Sequence, residues 1–290
     1  KETSVVVYDN SDMQIINRFF IAKAVEGLCQ SSLDYYRIIL RAFIIQVGKH
    51  IKEIVTDDVR VYLAYKKINK CSDNTLNNIR RTLSSFFTWC TEEGILDRNP
   101  MLRIKGVRQV KKLKKPLSED DMEKLRSLAK TKRNKAIIEF LFSTGCRVSE
   151  MVHLKKSDID FQTKEVHLFG KGSKHRVSYL NAKAEVYLKK YWLTRKDRCD
   201  SVIVTVRRPY RGATKGQIEQ ILHKLGERSG IGRNLYPHLI RHTTATDAID
   251  RGMNVTEVQK ILGHEKLDTT MIYAKVSQEA VKFNHHKFVV

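Results

Sequence analysis

Acidic side chains are in short supply in this 290-residue chain: 32 Asp and Glu stand against 54 Lys and Arg, giving a formal net charge of +22 and an isoelectric point near 9.8. An excess of that size points to a polyanionic partner such as nucleic acid. Long apolar runs are missing as well. No stretch approaches the ~20 residues that cross a bilayer, and Lys1-Glu2-Thr3-Ser4 before Val5-Val6-Val7 lacks the layout of a signal peptide, so a soluble cytoplasmic protein with no membrane partner is expected. The five cysteines, Cys29, Cys71, Cys90, Cys146 and Cys199, are odd in number, widely separated and without a C-x-x-C pair. That argues against a disulfide framework or a zinc module and fits a reducing compartment. His285-His286 has no cysteine or acidic neighbour, so no metal site is expected there. No internal repeat or low-complexity segment appears.

What is present suits a globular protein: 41% hydrophobic and 30% charged residues, in a chain long enough for two ordinary domains. From about Ser11 to Leu102 the pattern is helical, with apolar residues at three- and four-residue spacing in Leu33 to Phe43, Val59 to Tyr65 and Leu76 to Trp89. Short polar breaks separate these helices, which predicts a four- or five-helix bundle over 1–102. Residues 103–117 then carry Arg103, Lys105, Arg108, Lys111, Lys112, Lys114 and Lys115 with no acid, and read as a linker lying along a phosphate backbone. A second domain is expected over 118–290, opened by the helix N-cap Ser118-Glu119-Asp120-Asp121. Helices are predicted near 120–130, 133–143, 182–194, 214–228, 238–250, 256–262 and 267–276. Between them, strands are predicted at Ile159–Phe161, Glu165–Phe169 and Arg176–Leu180, with Gly170 to Ser173 as the turn of a hairpin. The expected fold class is mainly α with a small antiparallel β-sheet.

Several polar residues stand in ordered frames within this second domain. Arg147 follows Thr144-Gly145, so a helix ends at the glycine and the arginine is presented at a bend before the next helix, where Glu150, three residues on, is close enough to orient it. His238 and Arg241 are spaced i and i+3 on a helix opened by Tyr236-Pro237, which sets both on one face of its first turn, where the helix dipole also favours an anion. Gly263 ends the following helix, His264 falls in the loop, and Asp268 caps the helix bearing Tyr273. Lys171 and Lys174 sit at the hairpin turn, where a flexible ammonium is suited to protonate a leaving alkoxide. Two arginines, two histidines, a lysine and a tyrosine supply what metal-free phosphoryl transfer onto a protein hydroxyl requires: a nucleophile, cations around the non-bridging oxygens, and an acid for the leaving oxygen.

The segments Thr144-Gly145-Cys146-Arg147-Val148-Ser149-Glu150, His238-Leu239-Ile240-Arg241-His242-Thr243, Leu262-Gly263-His264 and Asp268 to Tyr273 resemble the boxes of the tyrosine recombinases of the phage-integrase and Xer type. The resemblance spans about 147–276, and the preceding helical region is similar to that family's core-binding domain. It implies that Arg147 and Arg241 clamp a scissile DNA phosphate, that His238 and His264 support it or handle protons, and that Tyr273 attacks to give a 3′-phosphotyrosyl link. It also implies that Lys171, favoured by spacing over Lys174, is the general acid, that Glu150 supports the first arginine, and that neither metal nor nucleotide cofactor is needed. The implied partner is double-stranded DNA with inverted half-sites, bound by a dimer at each site and a tetramer in synapsis. The tail from about 277 would dock on a neighbouring subunit, with accessory DNA-bending or directionality factors and a nucleoid location.

Integration, excision or resolution of a mobile element, transposon, phage or chromosome would all follow from such chemistry. Cys146 stands where the family often has a larger apolar residue. The chain begins with Lys, and residues 1–10 are too few for the extra N-terminal arm-binding domain of many integrases, so either the protein has two domains or a third has been cut away. Two alternatives remain at this point: a type IB-like topoisomerase, which would act as a monomer, and a non-catalytic DNA-binding factor, against which Tyr273 beside both arginines speaks. An unperturbed tyrosine ionises near pH ~10, so roughly one in a thousand is phenolate at neutral pH. The arginines should favour that ionisation in the assembled complex.

Overall fold

A computed structural model describes residues 10–108, 115–170, 175–273 and 285–286. The chain divides into two compact units, Lys1–Lys112 and Leu113–Val290. None of the described helices is long and apolar enough to cross a membrane.

The first unit is built from α1 (Asn10–Val25), α2 (Gln30–Val47), α3 (Thr56–Ile68) and α4 (Asp73–Glu92). Each boundary has a local cause. Gly48 closes α2 in the left-handed region at φ 65°, its N–H donating to the Ile44 carbonyl. Ser72 caps α4 by accepting from the Thr75 N–H. The longest helix, α4, turns Leu83, Phe86, Phe87 and Cys90 into a core that also takes Phe19 from α1 and Phe43 from α2, all fully buried. The rings meet edge to face: Phe19 and Phe86 lie 5.2 Å apart at 87°, and Phe43 and Phe87 5.9 Å apart at 83°. Asn77 on α4 reaches residues beyond the bundle. Its side chain donates to the Val107 carbonyl (2.8 Å) and accepts from the Val107 N–H (2.9 Å), holding 103–107 against the unit while Ile104 packs on its core.

The second unit contains α5 (Glu119–Leu128), α6 (Lys132–Thr144), α7 (Val148–His153), β1 (Ile159–Asp160), β2 (Glu165–Phe169), β3 (His175–Tyr179), α8 (Ala182–Trp192), α9 (Lys215–Arg228), α10 (Pro237–Asp250), α11 (Val255–Leu262) and α12 (Asp268–Met271). The expected fold class holds: a mostly helical protein with one three-stranded antiparallel sheet, order β1-β2-β3. In the register of β2 with β3, Val166 pairs with Ser178 and Leu168 with Arg176. The apolar α6, with Ile137, Ile138, Phe140 and Leu141 fully buried, is the central rod against which α8 and α10 pack. Ser118 and Asp121 form the capping box that starts α5.

Most element boundaries differ from the sequence reading by a residue or two. The third strand runs one residue earlier, at 175–179. The helix expected over 267–276 is a single turn, Asp268–Met271, so Tyr273 follows it in a turn closed by its own N–H on the Thr270 carbonyl (3.0 Å). Asp268 is the first helical residue rather than the cap. The hairpin turn at 171–174 with Lys171 and Lys174, the linker lysines 111, 112 and 114, and the tail except 285–286 lie outside the described residues.

Candidate active site

The site is assembled where the ends of α6 and α11 meet the starts of α7 and α10. Gly145 ends α6 at φ 55°, and a Cβ there would come within 2.7 Å of the Leu262 side chain, so glycine permits both the turn and the approach. Two residues on, Arg147 caps α7. The buried Glu150 carboxylate accepts the Arg147 backbone N–H at 2.7 Å and its Nη1 at 2.9 Å, which fixes a guanidinium whose side chain remains 41% exposed. Arg147 Nη2 also reaches the Gly263 carbonyl at 3.3 Å.

Arg241 is set differently. It lies one turn into α10, 1% exposed, with Nη1 on the Gly145 carbonyl and Nη2 on the Leu262 carbonyl, both at 2.6 Å. Its Nε makes no hydrogen bond among the described residues. Burial, and then the neighbouring Arg147 and Arg176, pull its pKa down to about 10, which leaves it charged at neutral pH. A cation held by carbonyl dipoles without its own carboxylate has charge to offer a ligand.

His264 follows Gly263, which ends α11 in the left-handed region at φ 65°. Its Nδ1 lies 2.8 Å from Oγ1 of the buried Thr270. Burial, followed by Arg241, Arg147, His238 and Arg176, holds its pKa down to about 4, so the imidazole is neutral at physiological pH and keeps a nitrogen able to accept a proton. Tyr273 is 8% exposed, with its ring 6.1 Å from that of His264 and 4.9 Å from that of His242. Burial raises its phenol pKa, and Arg241 and Arg147 pull the other way without overcoming it. In the free chain the phenol is therefore held protonated. His238, the second residue of α10, is exposed. Arg241, one turn further along α10, is buried, so the two residues differ in depth. His238 belongs to the cluster through its field on His264.

Two members were missed in the sequence. Arg176 on β3 donates from Nη2 to Glu150 Oε2 at 2.7 Å with its side chain 11% exposed, making a third guanidinium beside one carboxylate. Strand alternation held the signal: Arg176 occupies the same inward face as the buried Ser178, where a charge needs a partner. His242, whose ring lies tilted against that of Tyr273, carried no comparable signal. Of the basic segment, Arg103, Lys105, Arg108 and Lys115 are exposed, and Arg103 and Lys105 line a cleft of about 340 Å³ in the first unit with Arg60, Lys67 and Arg80.

The phage integrase family pattern matches residues 115–280, more than half of the chain, and the N-terminal SAM-like domain of phage integrases matches 15–96. The chain belongs to the phage integrase family. Among its relatives, the tyrosine recombinase XerD of Listeria monocytogenes serotype 4b (strain F2365) is 30% identical over 277 residues, covering 90% of this chain and 93% of the relative. The tyrosine recombinase XerC of Bacillus pumilus (strain SAFR-032) is 28% identical over 93% of this chain and 92% of its own. Among solved structures, the XerA recombinase is 26% identical with a TM-score of 0.54, covering 95% and 98% of the two chains. A lambda integrase fragment, solved as a dimer bound to a COC′ core site, has the same fold at a TM-score of 0.76, 19% identity and coverage of 92% and 98%.

Proposed function

We propose that this member of the phage integrase family is a site-specific DNA recombinase, which cleaves and rejoins DNA strands through a covalent 3′-phosphotyrosyl intermediate on Tyr273. The observation that carries the reading is the charge balance beside Tyr273. Among the described residues, three guanidiniums, Arg147, Arg176 and Arg241, gather around a single carboxylate, Glu150, and the deepest of them has only carbonyl partners. Two uncompensated positive charges suit an anion better than any neutral ligand.

The chemistry follows from that balance. A phosphodiester carries one negative charge, and attack by the Tyr273 oxygen builds a trigonal-bipyramidal phosphorane carrying two. Arg147 and Arg241 hold the non-bridging oxygens, and their field is matched better by the dianion than by the ground state, which lowers the barrier. The phenol loses its proton as the Tyr273 O–P bond forms, and the neutral His264, with His238 at the rim, is the base available to take it. The P–O5′ bond breaks as Lys171 protonates the leaving oxygen. The product is a 3′-phosphotyrosyl strand and a free 5′-hydroxyl, with no net change in ester bonds, so a 5′-hydroxyl from a second duplex reverses the step and completes exchange. Arrival of the phosphate offsets the arginine field on His264 and so raises its basicity, which couples proton removal from Tyr273 to the presence of DNA.

In the same proposal, 1–102 binds duplex DNA, residues 103–117 follow its phosphate backbone, and 118–290 carries the chemistry. Dimers form on inverted half-sites and tetramers in synapsis, linked through the tail from about 277 and aided by accessory DNA-bending factors on cytoplasmic DNA. Solved relatives include a lambda integrase tetramer bound to a Holliday junction, which supports this assembly. The test is incubation with nicked suicide DNA carrying candidate sites. A denaturation-resistant protein–DNA band followed by exchange between cognate duplexes is expected; a band with relaxation of any plasmid would replace recombination with topoisomerase activity, and no band would leave a DNA binder.

A further inference from the structure

We infer that Arg176 is a positioning residue for strand cleavage, holding the Arg147–Glu150 pair and the His264 loop in one alignment; the inference rests on the proposed role of Arg147, Arg241 and Tyr273 at the phosphate. Arg176 stands on β3 opposite Leu168, at an inward position where an apolar side chain would ordinarily pack. Its guanidinium is spent on two elements that are far apart in the chain. Nη2 donates to Glu150 Oε2 on α7, and Nη1 donates to the Ile261 carbonyl in the last turn of α11. Its Nε makes no hydrogen bond among the described residues.

The stem of Arg176 is registered as closely as its head. A Cβ on Gly263 would lie 2.5 Å from the Arg176 Cδ and 2.8 Å from its Nε, so Gly263 is the residue that lets the arginine pass beneath the loop leading to His264. The same glycine's carbonyl accepts from Arg147 Nη2. Arg147, Glu150, Arg176, Ile261 and Gly263 thus form one closed circuit, in which Arg176 joins Glu150 on α7 to the last turn of α11 and Arg147 makes a second, longer link to Gly263.

The charge arrangement gives this circuit a second effect. If Glu150 were paired with Arg147 alone, the pair would be close to neutral and Arg147 would have less field to spend on a phosphate. Arg176 takes a share of Glu150 Oε2, so Arg147 keeps its orientation from the carboxylate while the cluster stays net positive. Arg176 acts through Glu150 and the α11 carbonyl, not on the leaving oxygen.

Single-turnover cleavage of suicide DNA by the whole chain tests this, with DNA affinity measured separately. Arg176→Lys keeps the charge, but one ammonium does not span both Glu150 and the Ile261 carbonyl. A misplaced clamp should lower the cleavage rate constant about a hundredfold with DNA affinity unchanged. A purely structural loss lowers the amplitude, which counts active molecules; a positioning loss lowers the rate constant. Glu150→Gln combined with Arg176→Lys should be no slower than the worse single variant, because both changes open the same circuit. Losses that multiply would overturn the inference.

A substrate with sulfur at the bridging 5′ position gives a reading independent of folding. A thiolate leaves without an acid, its thiol having a pKa of about 8.5. The ratio of sulfur to oxygen rates is measured on the same soluble protein, and Arg176→Lys should leave it at the wild-type value. Selective rescue by sulfur would assign Arg176 to leaving-group protonation and sink the positioning role. Tyr273→Phe separates the two levels: adduct formation by that variant removes the site reading itself, whereas an inactive Tyr273→Phe beside a fully active Arg176→Lys removes only this inference.

Discussion

The two units of this chain bury different things. The first hides rings: Phe19, Phe43, Phe86 and Phe87 are fully covered, with Asp12, Asn77 and Thr82 as its buried polar residues among those described. The second hides charge. Arg241 is its largest fully buried side chain, Glu150 and Glu139 lie beside it in exposure, and Arg176 is nearly covered. Rings in a core stabilise by leaving water and by packing, at little electrostatic cost. Buried guanidiniums lose hydration that carbonyl partners restore only in part. Glu139 is matched by Arg126 at 2.6 Å, a pair joining α5 to α6, whereas Arg241 has only carbonyl partners among the described residues. Under the proposed function, the difference separates buried charge used for architecture from buried charge kept for a phosphate.

Substitution should split the units along this line. Phe86→Ala is expected to cost about 3–5 kcal/mol of stability, read by denaturant unfolding, because it opens a cavity in the aromatic core. Arg241→Met should do the opposite. Cleavage should fall by about two to three orders of magnitude, as for loss of one preorganised donor, while the second unit unfolds at the same temperature or higher. A large drop in stability with Arg241→Met would show that this arginine supports the fold, and the comparison would break.

A smaller effect is expected at the edge of the first unit. Asn77→Ala removes both bonds to Val107 and should cost about 1–2 kcal/mol, with faster amide exchange across 103–107. Unchanged exchange there would show that Ile104 packing alone holds the segment.

The smallest effect, and the sharpest reading of the charged site, is the titration of His264. Its pKa of about 4 lies below the ordinary 6.5. Between those values the unfolded imidazole takes up a proton that the folded one refuses, so this group contributes stability above pH 6.5 that is lost as pH falls toward 4. His264→Gln should flatten that slope. Imidazole NMR should follow the low pKa in the free protein and an upward move when DNA brings a phosphate to offset Arg241 and Arg147. A normal pKa in the free protein would mean that the arginine field does not reach the loop.

Much of the site was legible because its residues stand in short local frames. Gly145 before Arg147, Glu150 three residues later and Gly263 before His264 are decisions made within one turn of chain, and the structure realises each of them. Part of what escaped is tertiary detail close in sequence: after Met271 the chain turns with the Thr270 carbonyl accepting the Tyr273 N–H and the buried Thr270 hydroxyl 2.8 Å from His264 Nδ1, contacts that a periodic reading does not contain. The rest depends on distant partners. Arg176 was read as one more residue of an alternating strand, although its inward position was visible, because its partners lie 26 and 85 residues away. The clasp of Asn77 on Val107 spans 30 residues and was hidden for the same reason.

The central claim is that Tyr273 carries the DNA strand. The direct measurement is mass spectrometry of the adduct formed on suicide DNA, after trimming with nuclease and protease. A nucleotide 3′-phosphate on the Tyr273 hydroxyl is the predicted result, and attachment to any other residue, or through a 5′-phosphate, would contradict it.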